Sequence, residues 1–179
     1  MTKTRIAVTA TVAIVAALAA AASVRAGSDK IAFPNDYAKG VVYKSEDRPD
    51  NKQVRELFST REAVDAVSRG APLPSGTVIT SVRYAAQLDA QGNPVKDANG
   101  RFIKTDKILG YTVKEKRAGW GAEYPEETRN GEWEYRVFLA DKTANPDTKY
   151  DGCFGCHKSQ QSQDYLFTYD SLKAASRAE

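Results

Sequence analysis

The sequence contains few of the residues that most often bind metals or form cross-links. Its 179 residues include one histidine, one methionine and two cysteines. Two cysteines are too few for the disulfide-dense scaffold of a small secreted domain. A structural zinc site needs four ligands, usually in two separated pairs of cysteine or histidine, and the sequence has no second pair. Chemistry that depends on these side chains is therefore concentrated in one short part of the chain.

The two cysteines and the histidine lie together in the run Cys153-Phe154-Gly155-Cys156-His157. Two cysteines three apart, followed at once by histidine, is the spacing that attaches a c-type haem. One helical turn presents both thiols to one porphyrin edge, and the adjacent imidazole becomes the proximal iron ligand. The alternatives are a disulfide within the run or a redox pair, neither of which requires the histidine. We predict one haem c per chain, covalently attached through Cys153 and Cys156 and ligated by His157.

The N-terminus has the three parts of a secretory signal peptide, which predicts a periplasmic location. Lys3 and Arg5 precede an apolar, alanine-rich stretch, and small residues before Gly27 offer a cleavage site. A membrane anchor is the competing interpretation, but the stretch is short and no second apolar segment follows. We therefore assign residues 1–26 to a signal peptide and residues 27–179 to a single haem domain without membrane contact after cleavage.

The formal charge of +3 depends on the predicted signal peptide. Three of the 26 basic residues, Lys3, Arg5 and Arg25, lie in it, so the remaining 23 balance the 23 acidic residues. A nearly neutral protein gives no reason to expect nucleic acid or an anionic membrane as a partner.

Apolar and polar residues alternate in several segments, which predicts strands. The polar segment before them predicts an extended arm with a short turn at 36–39. The C-terminal segment, with the haem attachment, predicts helix. The combination favours an α+β fold: a mainly antiparallel β-sheet with flanking helices and a C-terminal haem-attachment helix. The assignments are an arm at 27–51, a strand or helix at 52–59, a helix at 60–69, strands at 77–84, 108–116 and 132–140, and an apolar helical set within 164–175.

The usual ligands for the other side of the iron are missing. Electron-transfer cytochromes use methionine or a second histidine. Here the only methionine is Met1, and the only histidine is His157. Lysine, tyrosine, the new α-amino group, water or an open position remain, and a lysine would first have to lose a proton of pKa about 10.4. We predict a water-bound or open position, which permits binding of a small diatomic ligand or turnover of a small nitrogen substrate.

Four segments, in this order, resemble the cytochrome P-460 and cytochrome c′-beta family: 54–57, 70–78, 133–138 and 153–158. The resemblance covers most of the chain after the signal peptide. It implies a mainly antiparallel β fold, a homodimer and a five-coordinate haem. It also carries over the two cysteines and the histidine of the last segment.

The resemblance implies two alternative activities. P-460 enzymes oxidise hydroxylamine and carry a lysine crosslinked to the porphyrin, whereas c′-beta proteins lack the crosslink and bind nitric oxide or carbon monoxide. The crosslinking lysine is expected a few residues after Gly76-Thr77, but residues 78–82 contain no lysine. Lys114 and Lys116 are possible substitutes, although strand lysines are expected to face solvent.

Distal-pocket residues are predicted with an alternative for each. Arg55 matches a family-like position and either hydrogen-bonds a bound ligand or pairs with solvent or a haem propionate. Phe58 and Phe138 either wall the pocket or serve as core aromatics. Glu115 is either a proton relay or an exposed strand carboxylate.

The sequence predicts first a periplasmic monohaem cytochrome whose open iron binds nitric oxide or a similar small ligand. The alternatives are an enzyme that oxidises hydroxylamine or nitric oxide, and a plain electron-transfer cytochrome. The last two imply a redox-partner cytochrome.

Overall fold

The computed structural model describes residues 30–175, and the predicted signal peptide lies outside them. The fold is α+β, dominated by an antiparallel sheet, as predicted. Among the described residues no helix is both long and apolar enough to cross a bilayer. The strands are β1 (Val41–Arg48), β2 (Gln53–Ser59), β3 (Val78–Ala86), β4 (Lys104–Lys116) and β5 (Trp133–Phe138), and the helices are α1 (Arg61–Ser68), α2 (Asp151–Lys158) and α3 (Tyr169–Ala175).

The five strands form one sheet in which each strand pairs antiparallel with the next along the chain. Such a meander needs only local connections, and α1 is the only α-helix inserted between sheet strands within residues 30–175. The long loop between β3 and β4 is held against the β1–β2 end of the sheet by two hydrogen bonds. Arg101 donates to the Asp47 carboxylate at 2.9 Å, and Lys52 donates to the Gly92 carbonyl at 2.7 Å. The sheet therefore keeps the chain order, which allows its faces to be read directly from strand alternation.

The two faces of the sheet carry separate cores. We call the face covered by α1, α2 and α3 the helix face; Leu57, Ile79 and Tyr135 pack there. We call the opposite face, covered by Ile31, Phe33 and Tyr37, the arm face. Its buried sheet residues are Phe58, Val82, Tyr111, Val113 and Phe138.

The segment predicted as an extended arm contains the strand β1, which the sequence analysis missed. β1 is an edge strand that pairs only with β2 in the described sheet. Its polar positions carry ion pairs, such as Lys44 with Glu46 at 3.2 Å, so the apolar alternation is weak. The predicted turn before it is confirmed as a 3-10 turn, Tyr37–Lys39.

The ambiguous segment at 52–59 is a strand, β2, which pairs with β1 on one side and β3 on the other and is buried at Val54 and at its last three residues. The predicted helix at 60–69 is confirmed as α1, whose apolar stripe of Ala63, Val64 and Val67 is buried. Thr60 occupies the N-cap position, although its side chain makes no capping hydrogen bond.

Candidate functional site

The helix α2 presents both cysteines and the histidine from one turn. Phe154 anchors it: the ring is 7% exposed and packs edge-on against Tyr135, with ring centroids 4.9 Å apart. Residues three and four apart share a helix face, so Cys153 lies on the same side as Cys156 and His157. Both thiols are free, with Cys153 partly buried and Cys156 exposed. The run predicted from its spacing therefore forms one constellation of two thiols and an imidazole.

The imidazole of His157 is held by a backbone carbonyl. Its Nδ1 lies 2.7 Å from the carbonyl oxygen of Tyr165. Because a carbonyl only accepts hydrogen bonds, Nδ1 carries the proton and donates. The neutral ring is then left with a lone pair on Nε2, which is the atom available to iron.

Two aromatic rings fix the plane of the imidazole. Tyr135 lies 5.0 Å away between ring centroids at 35°, and Phe167 packs edge-on at 5.1 Å. Burial lowers the pKa of His157 to about 4, with the Lys114 cation as the second cause. At neutral pH the ring is therefore uncharged, which is the form that ligates a metal.

The cations on the helix face of the sheet include Arg55, Arg83 and Lys114. Arg55 on β2 and Arg83 on β3 are directly opposite each other, and Lys114 on β4 lies opposite both Ile79 and Tyr135. Like charges directly opposite in a sheet are destabilising. Desolvation lowers the pKa of both arginines and is the main reason that the pKa of Lys114 falls to about 8, with Arg55 the second cause.

The cations are only partly compensated by the protein. Arg55 pairs with Glu46, but the Nε atoms of Arg55 and Arg83 are buried without a hydrogen-bond partner. The ammonium group of Lys114 makes no hydrogen bond or ion pair with another described residue. Buried donors of this kind call for an acceptor that the described chain does not supply.

These residues fit a haem. Its vinyl groups match the two thiols on α2, and its iron matches the free Nε2 of His157. Its anionic propionates match the guanidinium groups whose Nε atoms lack a partner, those of Arg55 and Arg83, since arginine is the preferred partner of carboxylates. Phe167, 49% exposed although it contacts the imidazole, offers apolar surface for the porphyrin ring to cover.

Of the predicted distal residues, only Arg55 lies on the helix face. Phe58 packs against Tyr37 and Phe138 against Phe33, with ring centroids 5.0 and 5.2 Å apart, on the arm face. The structure therefore does not bring Phe58 or Phe138 together with His157 and places both as core aromatics. The sequence spacing alone predicts that Arg55 and Phe58 lie on opposite faces of the sheet, because residues three apart on a strand face opposite sides.

Three charged strand residues differ from expectation. Glu115, expected to be exposed, is 7% exposed on the arm face and pairs with Arg117. Lys116, expected in solvent, has a side chain only 17% exposed and donates to Asp164 at 2.6 Å. Lys114 is also partly buried. The expectation was wrong because it treated β4 as solvent-facing, whereas both faces of the sheet are covered.

Arg83 and Tyr165 are the site residues that the sequence analysis missed. Arg83 had a signal, because it lies on β3 with the same strand phase as Ile79 and faces the helix side. Tyr165 had none, because its contribution is a backbone carbonyl that any residue would supply.

In a comparison with known protein families, one family model matches most of the chain. A family model described as Cytochrome P460 matches residues 34–168. The matched region contains all five strands and the complete attachment run on α2. The search of curated proteins finds no match.

Proposed function

Because the chain belongs to the cytochrome P460 family, and is thus a c-type haem protein, we propose that it binds nitric oxide or a similar small ligand at an open position on haem iron. The family match confirms the resemblance predicted from the sequence. In this proposal one haem is attached through the thiols of Cys153 and Cys156 and ligated by Nε2 of His157. Iron held by one imidazole, with the opposite position free, supplies a binding position for a diatomic ligand.

The observation that carries the proposal is the shortage of a second ligand. Within residues 30–175, His157 is the only histidine and there is no methionine. Its Nδ1 is already engaged by the Tyr165 carbonyl, so the ring can offer only Nε2. The two side chains that most often complete a six-coordinate cytochrome are therefore missing from the described chain.

The protein's own residues orient the imidazole, and the cations of Lys114 and Arg55 act on it electrostatically. Tyr135 and Phe167 restrict rotation of the His157 ring by packing on it. Arg55 and Arg83 would offer charge-assisted hydrogen bonds to the propionates of a bound haem.

Absorption spectra of the reduced protein, recorded with and without nitric oxide, test this function. We expect a high-spin spectrum that changes on addition of nitric oxide or carbon monoxide. A protein in which Cys153 and Cys156 are both serine, which lacks the attachment, is the control. A low-spin six-coordinate spectrum in both oxidation states, unchanged by either gas, would favour electron transfer and contradict the proposal.

Lys114 favours a second candidate, the oxidation of hydroxylamine. The lysine expected after Gly76-Thr77 is missing, but Lys114 lies on the helix face and interacts with Cys153 and Cys156 electrostatically. A crosslink from this lysine to the porphyrin would change the intact mass and move the reduced Soret band strongly to the red. If Lys114→Met abolishes both the crosslink and hydroxylamine turnover, the enzyme is supported. Absence of both features in the unaltered protein rejects it.

The cellular setting belongs to the same proposal. Export to the periplasm follows from the predicted signal peptide, and a homodimer follows from the resemblance. Cell fractionation and sedimentation equilibrium of the holoprotein test these points. Recovery in the cytoplasm with an intact N-terminus, or a monomer at micromolar concentration, would contradict them.

A further inference from the structure

The loop after α2 has an unusual backbone. Asp164 and Tyr165 are consecutive and both adopt the left-handed conformation, with φ of 50° and 59°. This region is disfavoured for residues with a Cβ, and two in succession require support from the surroundings. The conformation brings the Tyr165 carbonyl to the His157 Nδ1. The backbone geometry of this loop therefore determines the hydrogen bond of the imidazole.

The support comes from the carboxylate of Asp164. Its Oδ2 accepts a hydrogen bond from Lys116 Nζ at 2.6 Å, and its Oδ1 accepts one from Trp133 Nε1 at 3.1 Å. Lys116 and Trp133 are directly opposite each other on β4 and β5. One carboxylate thus ties the loop to two strands of the rigid sheet.

This contact is protected from solvent. The side chains of Lys116 and Asp164 are 17% and 23% exposed, and Trp133 is 1% exposed. Partly buried charged hydrogen bonds are stronger and less screened than surface ion pairs. The neighbouring Leu166 is fully buried, which anchors the other end of the loop.

We propose that Asp164 is a positioning residue for the proximal iron ligand. By holding the loop to the sheet, Asp164 fixes the Tyr165 carbonyl, which accepts the hydrogen bond from the imidazole N–H of His157. The inference depends on haem ligation by His157, as in the proposed function, but not on nitric oxide binding.

The expected effect follows from hydrogen bonding. A metal-bound histidine that donates its second N–H to an acceptor is a more basic ligand. Releasing the loop weakens that hydrogen bond and lowers the basicity of the imidazole. The iron–histidine bond then weakens, and the reduced iron is favoured over the oxidised iron.

Asp164→Gly is the main variant, because glycine adopts the left-handed conformation freely while removing the carboxylate. We expect a lower iron–histidine stretching frequency in the resonance Raman spectrum of the reduced holoprotein, and a higher reduction potential. Asp164→Asn retains an acceptor for Trp133 and tolerates this conformation, so both values should lie between those of Asp164→Gly and the unaltered protein. Lys142→Gly is the matched control: Lys142 also has a left-handed φ, of 70°, but lies in the turn after β5. It should change neither value.

Wild-type frequency and potential in Asp164→Gly would overturn the proposal. If that variant does not retain haem, Lys116→Met decides, because it leaves Asp164 in place and removes one of its two partners. A shift in the same direction supports the proposal, and no shift overturns it. Both readouts are taken without nitric oxide. A haem protein that shows the iron–histidine band but binds no gas would therefore reject the proposed function alone.

Discussion

Replacing Lys114 with methionine should make the protein more stable at neutral pH. Lys114 lies on the helix face, opposite Ile79 on one neighbouring strand and Tyr135 on the other. No described residue forms a hydrogen bond or ion pair with its ammonium group. Arg55 adds a second positive charge nearby. Methionine keeps the length of the apolar stem and removes the charge, so packing is largely preserved.

The magnitude follows from the pKa. Burial, with the Arg55 charge second, lowers the pKa of Lys114 from 10.5 to about 8. At about 1.4 kcal/mol per pKa unit, protonated Lys114 costs the folded state roughly 3 kcal/mol as an upper limit. Partial exposure reduces this, and we expect about 1–2 kcal/mol. The cost is fully present below pH 8, because the ammonium is then charged in both states. It disappears as the pH rises towards 10.5, since the folded protein releases its proton first.

Urea unfolding followed by circular dichroism at pH 7 and pH 10 measures the effect in holoproteins whose intact mass shows Lys114 to be uncrosslinked. Lys114→Met should exceed the unaltered protein in free energy of unfolding at pH 7, and the advantage should shrink at pH 10. Lys107→Met, at an exposed position on the same strand, should show neither change. The reasoning would be refuted if Lys114→Met had a lower free energy of unfolding than the unaltered protein at pH 7. It would also be refuted if the variant exceeded the unaltered protein by the same amount at pH 7 and pH 10.

Three further changes test other parts of the structure. Serine at both Cys153 and Cys156 should allow haem to be extracted with acidified organic solvent, whereas the unaltered protein should keep it through denaturation, as intact mass would show. Leu172→Ala, at a fully buried position, should lower the free energy of unfolding by about 2–5 kcal/mol, while Leu88→Ala, at a 46% exposed position, should have little effect in the same urea titration. Arg83→Gln should stabilise the haem-free protein by about 0.2–1 kcal/mol, because it removes a like-charge pair, and should lose that advantage in the holoprotein.

The sequence predicted those parts of the fold whose chemistry or periodicity is local. The attachment run needed only residue type and spacing, and α2 presents it as expected. The strands β3, β4 and β5 were predicted because apolar and polar residues alternate in each of them. The polar segment before β4 was interpreted as a loop. The start of β4 was therefore predicted at Ile108, whereas the strand begins at Lys104.

The parts that were missed depend on pairing across the chain. β1 is rich in charged residues at an edge, where its polar side chains satisfy ion pairs rather than alternate with a core. The faces of Phe58 and Phe138 were not assigned, because pocket candidates were chosen by residue type instead of strand phase. The Tyr165 carbonyl could not be predicted at all, since its position depends on the left-handed loop and on the tie between Asp164 and the sheet.

The alternation of side chains along the strands also explains why one face of the sheet is aromatic and the other carries paired cations. The arm face is covered by aromatic packing, as the contacts of Phe33 with Phe138 and of Tyr37 with Phe58 show. The helix face instead places Arg55 and Arg83 directly opposite each other, a like-charge pair that costs stability and that Glu46 offsets only at Arg55. A haem would supply two carboxylates beside these guanidiniums, converting repulsion into charge-assisted hydrogen bonds. The cofactor would therefore compensate the positive charge of this face, so haem binding and folding stability should be coupled through the sheet as well as through α2.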